Sequence, residues 1–197
     1  NLDFGRVPLY FIPNQGQLDK QVAFHIQGKD KSLYFTPGGV TMVLTRPEIR
    51  ASENPAAEKW VVKLDFVGAN KKVRPVGEEK TGGVVSYFRG KPDEWNAGLP
   101  TYSRIVYRNL WPGIDLAYSG TSNRLKYEFI VHPGADPSRV RLAYRGVDGL
   151  AVDGQGRLEV NTPAGGFKDD APVAWQEIAG ARKGVSLGYK LGARGRD

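Results

Sequence analysis

The sequence predicts an all-β protein: an antiparallel β-sandwich or two packed antiparallel sheets, with about a dozen short strands and little helix. Two observations carry that expectation. Apolar residues recur at every second position in at least five runs, and turn chemistry separates the runs. Successive side chains of a strand point to opposite faces, so period-two patterning marks a sheet with one buried and one wet face.

The runs are specific. Val22, Phe24 and Ile26 point one way, with Ala23, His25 and Gln27 opposite. Trp60, Val62, Leu64 and Phe66 alternate with Lys63 and Asp65, and Leu125, Tyr127, Phe129 and Val131 with Lys126 and Glu128. Val140, Leu142 and Tyr144 alternate with Arg139, Arg141 and Ala143, and Val185, Leu187 and Tyr189 close the series. Pro37-Gly38-Gly39 separates Leu33-Tyr34-Phe35 from Val40–Leu44, as in a hairpin. Asp153-Gly154-Gln155-Gly156 divides Leu150-Ala151-Val152 from Arg157–Val160 and supplies the positive-φ positions of a second hairpin. His132-Pro133-Gly134-Ala135-Asp136-Pro137 is a turn, because two prolines exclude a helix or a central strand. Only Arg46–Lys59 could hold a helical turn, and Pro47 and Pro55 favour a surface loop there. Without a βαβ rhythm the parallel α/β folds are disfavoured.

The chain has 197 residues, which suits a single all-β domain, 1–197, or two closely packed sub-sheets with a soft boundary near 80–100. It starts without Met and ends on Gly192-Ala193-Arg194-Gly195-Arg196-Asp197, which reads as a piece of a longer multidomain protein. There is no cysteine, so disulfides, thiolate zinc sites and Cys nucleophiles are excluded together. No apolar run reaches the ~18 residues of a membrane span, so no membrane insertion is expected. The first ten residues lack the features of a signal peptide. The net charge of +7 is scattered over Lys71-Lys72, Arg139/Arg141/Arg145 and Arg182-Lys183, with acids between. A nucleic-acid binder concentrates its basic residues on one surface, so none is expected as a partner.

The reactive chemistries are sparse. The two histidines, His25 and His132, stand far apart and without a carboxylate at ligand spacing, so no metal site and no cofactor is expected. There is no G-x-S-x-G elbow, and Gly82-Gly83 lacks the Lys and helix of a phosphate loop. No catalytic residue is assigned. Asp65, Asp115 and Glu128 could converge only through the fold, as a glycosidase pair would. Aromatic residues are the main binding candidates: Trp60, Trp95, Trp111 and Trp175, with Tyr87, Tyr102, Tyr107 and Tyr118, could form a flat platform for sugar rings. Trp95, in Lys91-Pro92-Asp93-Glu94-Trp95-Asn96, sits in a polar loop and is the leading one. Trp60 and Trp175 lie on apolar faces and suit core packing, while Trp111 in Leu110-Trp111-Pro112-Gly113 suits a buried turn anchor.

Phe11-Ile12-Pro13-Asn14-Gln15-Gly16-Gln17, Tyr107–Leu116, Lys126–Pro137 and Ala171-Pro172-Val173-Ala174-Trp175-Gln176 together resemble a bacterial domain of unknown function. That domain lies N-terminal to SBBP (β-propeller) repeats in large exported proteins. The resemblance covers nearly the whole chain and implies a secreted or cell-surface setting, with other domains of the same polypeptide as partners. It carries no catalytic residues. Asn14, Gln15 and Gln17 read either as backbone-bonding turn residues or, with Trp95, as a ligand-binding surface. The expected function is a non-catalytic structural or interaction module. The alternatives are a carbohydrate-binding module, taking a glycan or a cell-surface protein as partner, and a carboxylate-dependent glycoside hydrolase.

Overall fold

A computed structural model describes residues 9–28, 31–45, 59–121 and 124–192. Arg46–Lys59, expected as a surface loop, lies outside the described residues except for Lys59, which opens a strand. The chain divides into two compact units that meet in sequence at Gly146 and Val147.

The larger unit holds two antiparallel sheets. The first runs in the order β1 (Ile12–Pro13), β2 (Phe24–Gln27), β3 (Lys31–Thr36), β4 (Gly39–Thr45), β5 (Lys59–Val67) and then the later strand Arg141–Arg145. The second is a meander of β6 (Val76–Tyr87), β7 (Asn96–Trp111), β8 (Ile114–Thr121) and β9 (Arg124–Val131). The strand Arg141–Arg145 is β10, and it returns to β5 in the register Tyr144↔Leu64. The β3–β4 hairpin turns at Pro37-Gly38, as its sequence implies, and Thr36 pairs with Gly39. Gly39 is required there: a Cβ would stand 2.1 Å from the carbonyl oxygen of Leu64 on β5.

The sheets join along one edge. Phe11 and Tyr102 exchange two backbone hydrogen bonds, Phe11 N to Tyr102 O at 2.9 Å and Tyr102 N to Phe11 O at 3.0 Å. Between the sheets lies an aromatic layer. Phe35 meets Phe11 at 5.4 Å and Tyr118 at 5.1 Å, and Phe66 meets Tyr107 at 5.4 Å and Trp111 at 6.0 Å between ring centroids. Most of these pairs are edge-to-face, the arrangement that the ring quadrupole favours. Two of the polar tips in this layer, those of Tyr107 and Trp111, find backbone partners on the first sheet. Tyr107 Oη donates to Thr36 O at 3.0 Å, and Trp111 Nε1 to Val67 O at 3.0 Å. Burial holds the Tyr107 hydroxyl well above its ordinary pKa, so it stays a donor.

The smaller unit carries β11 (Gly149–Val152), β12 (Leu158–Asn161) and β13 (Phe167–Asp169) in one sheet. A separate hairpin follows, of β14 (Ala174–Ile178) and β15 (Ala181–Val185). The β11–β12 turn forms as its sequence implies. Asp153 accepts from the backbone N–H of Gln155 and Arg157 and from the Arg157 side chain, at 2.8–3.0 Å. Those bonds, the Arg157 amide foremost, bring its carboxyl down to about 2. Leu158 and Val160 are buried here, whereas Trp175 is 44% exposed under the Arg182 guanidinium, 5.1 Å from the ring centre. The core role expected for Trp175 is therefore corrected, because a two-stranded hairpin has no second layer to bury a face against. The strand expected through Leu187 and Tyr189 likewise stops at Val185, and Leu187 is exposed.

Truncating Phe35, which is fully buried between the sheets, should cost about 3–5 kcal/mol of unfolding free energy in Phe35→Ala. Denaturant titration reads this directly, and a loss under about 1 kcal/mol would contradict the cross-sheet packing.

Candidate functional site

Asn14, Gln15 and Gln17 form a loop between β1 and β2. Asn14 Nδ2 lies within bonding distance of the carbonyls of Leu18, Asp19 and Val22, at 2.8–3.2 Å. Its Oδ1 accepts from the N–H groups of Gly16 and Leu18 at 3.1 Å. One side chain thus satisfies backbone groups that the turn leaves without partners. Gly16 takes φ +117°, a conformation open chiefly to glycine. Gln17 closes the loop from the other side, donating to Pro13 O and accepting from Gln15 N, both at 2.7 Å. Asn14 is therefore engaged within the loop, Gln15 is exposed, and Gln17 also faces a concavity.

That concavity, of about 490 Å³, is the strongest candidate site in the larger unit. Gln17, His25, Gln27 and Tyr34 line it from the first sheet and its leading loop. Tyr87 and Arg89, at and beyond the end of β6, line it from the second. Its size falls within the range of small-molecule sites. His25 sits at its base with 3% exposure, its ring parallel to that of Tyr34 and 6.4 Å away. His25 Nε2 and Tyr87 Oη are 2.8 Å apart, and Tyr87 Oη also reaches Gln27 Oε1 at 3.4 Å. Burial brings the His25 pKa down to about 4, opposed by the nearby backbone of Ile12, and Nδ1 has no hydrogen-bond partner of good geometry. Burial also raises the Tyr87 pKa. The floor is therefore uncharged at neutral pH. The sequence reading placed His25 on a polar strand face; the rings of Tyr34 and Tyr87 bury it instead.

Trp95 is 46% exposed and meets Phe88, itself 64% exposed, edge-to-face at 5.2 Å. Neither lines the concavity, but their chain neighbours Tyr87, Arg89 and Asn96 do. The structure thus brings Gln17 and the Trp95 loop to one face of the unit, while Asn14 turns inward to its own loop.

The carboxylates are engaged elsewhere. Asp115 accepts from Asn109 N at 2.6 Å and pairs with His132 Nε2 at 3.0 Å. Burial pushes its pKa up, but those two partners outweigh it and leave the carboxyl below its ordinary value. Asn109 adopts φ +51° in the bulge of β7, and its Oδ1 accepts from Gly113 N at 2.7 Å. Asp115, Asn109 and His132 together pin the Trp111-Pro112-Gly113 turn. Glu128 pairs with Lys126 at 3.0 Å, and Asp65 takes two bonds from Arg145 at 2.5 and 2.7 Å. Among the described residues, no three His, Asp or Glu side chains gather as a metal site would, and no helix is long and apolar enough to cross a membrane.

The larger unit is thus a two-sheet antiparallel sandwich with a polar, aromatic-lined concavity at one sheet edge. The chain belongs to the family described as Domain of unknown function (DUF7948), whose model matches residues 11–196. No curated protein and no solved structure matches it.

The displaced His25 pKa gives a measurable pH dependence. The unfolded chain takes up a proton near 6.5 that the folded chain refuses until about 4. Stability should therefore be level above that window and fall as pH drops through it. In urea titrations across this range, His25→Gln should flatten the slope relative to wild type. Parallel slopes would show that His25 is not buried as described.

Proposed function

We propose that this chain is a non-catalytic interaction module of an exported bacterial protein, acting at the cell surface beside propeller-like repeats of the same polypeptide. One observation carries the reading. The carboxylates Asp65, Asp115 and Glu128 are held by partners of their own, while the concavity is walled by aromatic, amide and guanidinium groups. Such groups recognise a ligand through shape and hydrogen bonding. The exported, repeat-linked setting rests on the resemblance of the Asn14–Gln17, Tyr107–Leu116 and Lys126–Pro137 segments to domains found in that context. The full reading frame would then carry a leader upstream and SBBP repeats downstream.

The hydrolase alternative has less support. Asp115 and Glu128 lie on one face of the β8–β9 pair, opposite Ile130 and Ala117 respectively. Asp115 is 7% exposed and tied to the β7 bulge, which leaves it poorly placed to reach a substrate.

Incubation with glycan, ester and peptide substrates should release no product. Turnover that disappears in Asp115→Asn or Glu128→Gln would overturn the non-catalytic reading.

A further inference from the structure

We infer that the concavity between Tyr34 and Tyr87 is a binding site for a carboxylate-bearing sugar, such as a uronate residue of an acidic polysaccharide. This inference rests on the module being a binding protein and names the ligand class of its concavity.

The electrostatics point to an anion. Among the described residues, no Asp or Glu lines the concavity, and Arg89 is the one charged side chain that does once His25 is neutral. Most other described arginines in the unit have clear partners. Arg104 and Arg108 pair with Glu78, Arg139 with Asp136 and Arg145 with Asp65, while Arg74 reaches the backbone carbonyls of Lys20 and Val22. Arg89 is exposed and has no hydrogen-bond or ion-pair partner among the described residues. A guanidinium without such a partner, over a concavity whose described lining holds no acid, is suited to a planar carboxylate, which it can hold through two parallel hydrogen bonds.

The remaining lining points to a sugar ring. A bare anion needs only donors. Here the Ser32 and Tyr34 hydroxyls and Gln27 Nε2 have no partner among the described residues, so the wall can both donate and accept. A polyhydroxylated ring presents the same mixed pattern. The rings of Tyr34 and Tyr87 add apolar surface for its C–H face. Tyr87 is held by His25 and Gln27, so this part of the wall is fixed before a ligand arrives.

The test is calorimetric titration of the whole chain at neutral pH. The probes are tetramers of galacturonate, of mannuronate and of hyaluronan, with galactotetraose as the neutral counterpart. At least one acidic tetramer should bind saturably, and at least about tenfold tighter than the neutral one, as expected for a bidentate charged contact. Arg89→Ala should erase that preference, Arg89→Lys should restore only part of it, and Tyr34→Ala should weaken acidic and neutral sugars alike. Arg89 is exposed, so its variants should keep the native near-ultraviolet dichroism. Failure of every acidic tetramer to bind, equal affinity for acidic and neutral sugars, or an unchanged preference in Arg89→Ala would each overturn the assignment. So would displacement of the sugar by inorganic phosphate at comparable concentration, which would mark a simple anion site. Cleavage of a bound tetramer, read by chromatography of the same samples, would instead contradict the non-catalytic reading and leave the ligand class standing.

Discussion

The larger unit depends on how two sheets share one aromatic layer without leaving polar atoms unpaired inside it. Phe11, Phe35, Phe66, Tyr107, Trp111 and Tyr118 fill the space between them, and Tyr107, Trp111 and Tyr118 each bring a polar tip into the interior. A buried hydroxyl or indole N–H without a partner costs about 1–3 kcal/mol. The fold meets that constraint by aiming Tyr107 at Thr36 O and Trp111 at Val67 O, on the facing sheet. Each bond therefore removes a penalty and fixes one sheet's position against the other. The Phe11–Tyr102 bridge does the same along the edge, through backbone alone.

The strand β7 is irregular between Tyr107 and Trp111, and Asn109 takes the left-handed conformation there. Asp115 and His132 hold the bulge from β8 and from the turn after β9. The polar groups of the Tyr107–Leu116 motif thus serve positioning. Where β2 and β3 meet the end of β6, Tyr87 is tied to His25 and Gln27, and other lining groups have no such partner among the described residues. There Tyr34, Gln27, Ser32 and Arg89 face an open volume. The contrast between a committed motif and an uncommitted concavity is what separates scaffold from site.

The sequence revealed the sheet architecture because alternation is a local signal: each half-buried strand prints its own period. The β3–β4 and β11–β12 turns were equally legible, through Pro37-Gly38-Gly39 and Asp153-Gly154-Gln155-Gly156. The site was legible only in part. Gln17 and Tyr87 were candidates and line the concavity, and Trp95 lies beside it, but Tyr34 and Arg89 gave no signal. They are ordinary strand and loop residues that become neighbours only when β3 and the end of β6 meet, a pairing of surfaces more than fifty residues apart. His25 was misplaced for the same reason. Its strand position implied a wet face, and long-range contacts with Tyr34 and Tyr87 made it dry. Trp175 erred in the opposite direction, since its apolar alternation came without a layer to cover it.

The aromatic layer makes the two sheets of the larger unit one cooperative body. Native-state hydrogen exchange tests it most directly, because it reads the opening free energy of each amide. Amides of Leu33 and Val62 on the first sheet, and of Ile105 and Leu116 on the second, should all exchange with one common free energy, that of global unfolding. If either sheet opened in a separate step of clearly lower free energy, the layer would not couple them, and the account would be wrong.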